Sequence, residues 1–161
     1  GEATVRKNKS GIVVKGLHDL AVRFSRCCNP VPGDEIVGFV TRGRGVSIHR
    51  TDCINVINLP QEERARLIDA EWQVAETAGS TEQYSTEIQI FANNRIGMFA
   101  DISKVFTEKQ IDITSMNVRT SKQGKATIIM TFDIHGTEEL NRITDKIRQI
   151  EGVLDIQRTT G

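Results

Sequence analysis

The strongest alternation in the chain runs from Ala126 to His135. Ala126, Ile128, Met130, Phe132 and Ile134 are apolar, and they alternate with Thr127, Ile129, Thr131, Asp133 and His135. A period of two predicts a strand with one buried face. Ile88 and Ile90 alternate in the same way with Glu87 and Gln89. Between them, Met98, Ile102, Val105 and Phe106 recur at helical spacing, and 113–120 alternates again. Ser121-Lys122-Gln123-Gly124 reads as a hairpin turn. Leu140, Ile143, Ile147 and Ile150 then make one helical face closed by Gly152, and Val153 to Arg158 reads as a last strand. The order βαββαβ predicts a ferredoxin-like α+β sandwich, four antiparallel strands with both helices on one face.

The first half is patterned in shorter pieces. Residues 1–10 form a polar arm, Ile12-Val13-Val14 a short strand, and Leu20, Val22 and Phe24 a second strand running into Cys27-Cys28. Pro30, Pro32 and Gly33 predict a turn. Glu35 to Thr41 and Val46 to His49 form a hairpin about Arg42-Gly43-Arg44-Gly45. A short helix from Cys53 to Leu59, capped by Thr51 or Asp52 and closed by Pro60, precedes a strand through Leu67, Ile68, Ala70 and Trp72. Residues 76–83 are small and polar, without apolar period. The expected organisation is a small β-rich domain over 1–75, a linker over 76–83 and the βαββαβ domain over 84–161.

The totals sharpen this only where they are uneven. The 161 residues carry 21 Lys+Arg and 21 Asp+Glu, which favours no class of partner. Residues 1–58, however, hold nine basic residues against five acidic ones, and 59–86 hold two against six. The positive surplus belongs to the first domain. No apolar run is long enough for a helical membrane span. Three cysteines cannot all pair within one chain, so a reducing cytoplasm is expected. The chain opens on Gly1, not Met, and is read as an excised piece of a longer protein.

The three cysteines fall in two runs. Twenty residues separate Cys28, which follows Cys27 directly, from His49, and three separate His49 from Cys53. Thiolate and imidazole are the ligand types zinc prefers, in tetrahedral sites. Cys28, His49 and Cys53 are therefore candidate ligands, with Cys27 or Asp52 as the fourth. The alternative is three buried thiols and a hydrogen-bonded histidine. Lys15, Arg42, Arg44 and Arg50 could meet RNA phosphates, or could simply form a solvated hairpin tip and its surroundings. No Gly-rich phosphate loop is present, and His18-Asp19 lacks the companions a metal phosphohydrolase would need.

The run from Arg26-Cys27-Cys28-Asn29-Pro30-Val31-Pro32-Gly33-Asp34 through Arg42-Gly43-Arg44-Gly45 to His49 resembles the conserved-cysteine, or zinc-finger, domain of long RelA/SpoT-type (p)ppGpp synthetase/hydrolases. The βαββαβ segment, with Asn93-Asn94-Arg95-Ile96-Gly97-Met98-Phe99 after its first strand, is similar to the ACT domain that ends those proteins. The resemblance implies a catalytically silent regulatory region that engages the ribosome and A-site tRNA and controls catalytic domains upstream. It also implies ACT dimers with a small effector between subunits. For such an effector Asn93, Arg95, Ile96, Gly97, Met98 and Asn117 are the candidate contacts: the start of a helix favours a carboxylate, and the absence of an acidic residue in the loop suits a branched-chain amino acid. The competing reading is an amino-acid-binding ACT dimer of a metabolic enzyme with no RNA role.

Overall fold

In the computed structural model of the chain, which describes residues 11–14, 21–43, 45–73 and 82–161, two compact units separate, the second running over 81–159. The expected polar arm, most of the expected linker, Lys15, His18, Asp19 and Arg44 lie outside the described residues.

The first unit is a five-stranded sheet. Its strands are β1 (Ile12–Val14), β2 (Val22–Phe24), β3 (Ile36–Val40), β4 (Val46–Arg50) and β5 (Leu67–Trp72), in spatial order β1-β5-β3-β4-β2. All neighbours are antiparallel except β2 and β4, which run parallel. The β3–β4 hairpin closes as its turn chemistry predicts. Thr41 N–H donates to Gly45 O at 2.8 Å, and the Thr41 hydroxyl binds the same loop from its side chain. A Cβ added at Gly38, at the centre of β3, would lie 2.9 Å from Val46 Cγ1 and 3.0 Å from Ile68 Cγ1 and would force those side chains to shift.

Alternation divides this sheet into two faces. Ile12, Val46, Ile48 and Ala70 are buried on one, packed by Val22, Phe24, Ile36, Ile68 and Trp72. Phe24 and Trp72 stack with centroids 5.5 Å apart, and the indole N–H donates to Asp34 O at 3.1 Å. The opposite face carries Val37 paired with His49, and a second cluster of Cys28, Cys53 and Val56 packed by Cys27, Val37 and Leu67. The short helix α1 spans Ile54–Ile57. Its N-cap is Cys53, with no side-chain cap, so the expected cap from Thr51 or Asp52 does not form. Asp52 is held instead by Arg50 at 2.6 Å.

The second unit has the βαββαβ order: β6 (Tyr84–Asn93), α2 (Met98–Glu108), β7 (Ile113–Thr120), β8 (Lys125–Ile134), α3 (Thr137–Arg148) and β9 (Val153–Arg158). Its sheet is ordered β7-β8-β6-β9 and antiparallel throughout. Thr86, Ile88, Ile90 and Ala92 of β6 and Ile128, Met130, Phe132 and Ile134 of β8 are buried, as are Met98, Ile102 and Phe106 of α2 and Leu140, Ile143 and Ile147 of α3. Phe106 and Phe132 meet edge to face at 4.8 Å. The α2 N-cap is Gly97 at φ +83, without a side-chain cap. A left-handed residue is what glycine accommodates without strain, and neither Asn93 nor Asn94 fills that role. The outer face of β8 presents half-buried Thr127, Ile129 and Thr131, as expected, whereas His135 is engaged by Glu139 at 2.8 Å. Among the described residues no helix is long and apolar enough to cross a membrane.

Candidate metal centre

Adjacent residues in extended backbone point apart, so Cys27 and Cys28 can share a target only if the chain turns. It does so directly after β2. Asn29 N–H donates to Ser25 O at 3.0 Å, and Asn29 itself is left-handed at φ +47, a conformation asparagine tolerates better than most residues. The turn is backed by a second one in which Asp34 accepts from Val31 N–H at 2.8 Å and Asp34 N–H donates to Val31 O. The other two groups come from the end of β4 and the start of α1. His49 lies on the face of β4 opposite the aliphatic core, and Cys53 N–H donates to Arg50 O at 3.0 Å, folding the chain back.

These two folds bring four ligand atoms, one each from Cys27, Cys28, His49 and Cys53, within 4.8 Å of one another. Cys27 Sγ lies 3.4 Å from His49 Nδ1 and 3.5 Å from Cys53 Sγ, and Cys28 Sγ lies 3.8 Å from His49 Nδ1. A tetrahedral ion with metal–sulfur bonds of about 2.3 Å and metal–nitrogen bonds of about 2.0 Å requires edges of about 3.8 Å between sulfurs and about 3.6 Å from sulfur to nitrogen. The set fits a metal of that size. Cys28 and Cys53 are buried, and Cys27 and His49 are half-buried. Four protein ligands in a closed setting are the arrangement of a structural ion, which leaves no position for substrate.

Burial favours the neutral forms of these groups. Burial pushes the Cys28 thiol above its usual range and Cys53 in the same direction. Burial, with the nearby Arg23 charge, holds His49 below its ordinary value. A neutral imidazole is the form that ligates. A bound divalent ion would reverse the thiol preference by displacing their protons. Around these ligands, Arg50 N–H donates to Cys28 Sγ at 3.3 Å, and Ser25 Oγ lies 3.0 Å from His49 Nε2.

Of the two residues considered for the fourth position, the structure brings Cys27 into the cluster and leaves Asp52 outside it, on Arg50. Of the basic set, Arg42 and Arg50 lie among the described residues. Arg42 is exposed at the hairpin tip, 3.9 Å from Glu63. Arg50 is a correction: its side chain is 7% exposed, donating to Cys28 O and to Asp52, so it does not present itself to a phosphate. Charge patterning is blind to burial, and here burial decides.

The six residues expected to hold an amino acid do not close one pocket within a single chain. Met98 is buried in the core, Ile96 is 100% exposed, and Asn117 pairs with Ile129 on the outer face of the sheet. Asn93 Oδ1 accepts from Lys125 Nζ at 2.5 Å. The Arg95 guanidinium is spread over Glu151 O, Ile96 O and the Asp101 carboxylate, bracing the loop with groups that a ligand would otherwise use. Ser25 was not apparent from the sequence. Its only signal is a hydroxyl placed just before the cysteine pair, and it acquires meaning once β2 is known to pair with β4.

Residues 12–73 match the model of the RelA/SpoT RIS domain, and residues 80–158 match that of the ACT domain. The chain is 41% identical over 150 residues to a GTP pyrophosphokinase of Streptomyces coelicolor, covering 93% of this chain and 17% of that protein. It is 37% identical over 156 residues to the GTP pyrophosphokinase of Escherichia coli K12, covering 96% and 20%. It therefore spans about a fifth of the length of these curated relatives. Among solved structures it is similar to the crystal structure of the ACT domain from GTP pyrophosphokinase of Chlorobium tepidum, with a TM-score of 0.44 and 23% identity, over 48% of this chain and 99% of that one.

Proposed function

Because this chain belongs to the RelA/SpoT family, carrying its RIS domain followed by an ACT domain, we propose that it is the C-terminal regulatory region of a (p)ppGpp-metabolising GTP pyrophosphokinase. Both matched models are of regulatory domains, so this stretch controls catalysis and does not perform it. In our reading the first unit is built around one zinc ion held by Cys27, Cys28, His49 and Cys53, and it meets ribosomal RNA and A-site tRNA. The state of that contact is relayed to catalytic domains elsewhere in the longer protein. The observation that carries this reading is the run of RIS then ACT along one chain, with the four-ligand cluster inside the first.

The surplus of positive charge in the first domain and the exposure of Arg42 support an RNA contact. The three free cysteines support a reducing cytoplasm. For the ACT unit we propose a homodimer formed along β7, an edge strand exposed over almost its whole length. A small branched-chain amino acid would sit near Gly97, where the α2 N-terminus favours its carboxylate. Since one chain does not close that pocket, the second copy has to complete it.

Co-sedimentation with purified ribosomes across a salt series tests the main reading. Wild type binds, and Arg42→Glu binds more weakly with a salt dependence shallower by about one phosphate contact. Equal binding by Arg42→Glu removes the hairpin from the contact. No ribosome binding by wild type at any salt would favour an ACT dimer regulating a metabolic enzyme without RNA.

A further inference from the structure

We propose that Ser25 is a positioning residue for the metal centre, holding the proton of His49 on Nε2 so that Nδ1 faces the ion. The inference rests on the metal centre described above and adds to it a group outside the four ligands.

The placement follows from strand register. β2 and β4 are parallel, with Val22 opposite Val46, Arg23 opposite Ser47 and Phe24 opposite Ile48. Continuing that register sets Ser25 against His49, and Ser25 N–H donates to Ile48 O at 3.0 Å, so the backbone is held there. The side chains then meet, with Ser25 Oγ 3.0 Å from His49 Nε2. On the other side of the ring Nδ1 lies 3.4 Å from Cys27 Sγ and 3.8 Å from Cys28 Sγ.

An imidazole that gives one nitrogen to a metal must carry its proton on the other. Here the far nitrogen already has a hydroxyl oxygen, able to accept, at hydrogen-bonding distance. With Nδ1 given to a metal the proton sits on Nε2, where the hydroxyl accepts it and opposes rotation of the ring, keeping the Nδ1 lone pair aimed at the sulfurs. Metal-bound histidines commonly use their second nitrogen in this way, and loss of the acceptor costs about ten- to a hundredfold in metal affinity. Arg23 is committed to the neighbouring position, its Nε donating to Ser47 Oγ at 3.0 Å, so it does not compete for the Ser25 oxygen.

The test uses the whole chain loaded with zinc or cobalt. Long-range proton–nitrogen NMR should show His49 bound through Nδ1 and protonated at Nε2 in wild type. Ser25→Ala should weaken zinc about ten- to a hundredfold in competition with a chromogenic chelator, and Ser25→Thr, which keeps the hydroxyl, should recover most of that loss. Cobalt spectra should report a thiolate-rich tetrahedral site in all three. Binding of His49 through Nε2 in wild type overturns the proposal even if no variant folds, as does zinc affinity of Ser25→Ala within twofold of wild type. Wild type that takes up neither metal defeats the metal centre itself, and this inference with it. Zinc held equally by wild type and Ser25→Ala defeats only the role of Ser25.

Discussion

The two units solve the same problem with different means. Of the twelve largest fully buried side chains among the described residues, Ile12 and Ile48 belong to the first unit and the other ten to the second. The second therefore has an ordinary apolar core, two helices laid on one face of a sheet, and owes its order to hydrophobic burial. The first has a thin aliphatic layer on one side of its sheet and a Cys/His cluster on the other. Small domains with little apolar burial commonly rely on a metal or cross-links. The difference teaches that one chain can combine a unit ordered by apolar burial with one whose small core is supplemented by a Cys/His cluster, each expected to fail under its own conditions.

The largest effect should come from taking the ligands away. Zinc removal by a strong chelator, or Cys53→Ser, should abolish the cooperative transition of the first unit, since metal binding at such sites is part of the folding free energy. Trp72, the only tryptophan in the sequence, lies in that unit and reports on it by fluorescence. The second unit, followed by NMR or proteolysis, should be unaffected. Unchanged Trp72 melting after complete chelation would erase the contrast.

Phe132→Ala is the mirror experiment. It empties a fully buried site packed against Phe106 and should destabilise the second unit by about 3–5 kcal/mol, leaving the Trp72 transition in place. A parallel loss in both units would mean that they fold together.

The smallest effect sharpens the comparison at the level of ligands. Valine, leucine or isoleucine at a hundred times its dissociation constant should stabilise the second unit by about 2.7 kcal/mol, with no change in the first. Gly97→Arg, which puts a side chain on a left-handed residue at the α2 cap, should remove the effect. Absence of calorimetric heat and of thermal shift at millimolar ligand would leave the ACT unit as a contact surface alone.

Much of this was legible in the residues. The alternation from Ala126 to Ile134 and the helical faces of α2 and α3 reflect burial directly, so the second fold could be read from period alone. The cysteines and His49 announced their chemistry by type. What the sequence does not reveal is how neighbours turn. The choice between Cys27 and Asp52 depended on a left-handed Asn29 and on Arg50 engaging Asp52. Arg50 looked like surface because charge usually is. Ser25 needed the parallel pairing of β2 with β4, a long-range fact with no local mark. In the ACT loop, Met98 fell into the core and Ile96 into solvent because the helix begins between them, at Gly97.

The β1–β5 pairing has a consequence in time. β1 pairs with β5, Ile12 opposite Trp72, whereas all four residues of the Cys/His cluster have been made by Cys53. On a chain synthesised from its N-terminus, the Cys/His segment is complete while the strand that finishes the sheet is still unmade. Long-range pairings are also the slower ones to form. An ion bound by that cluster would close the corner first and give β3, β4 and β2 a seed on which to assemble, with β1 pairing only once β5 has been made.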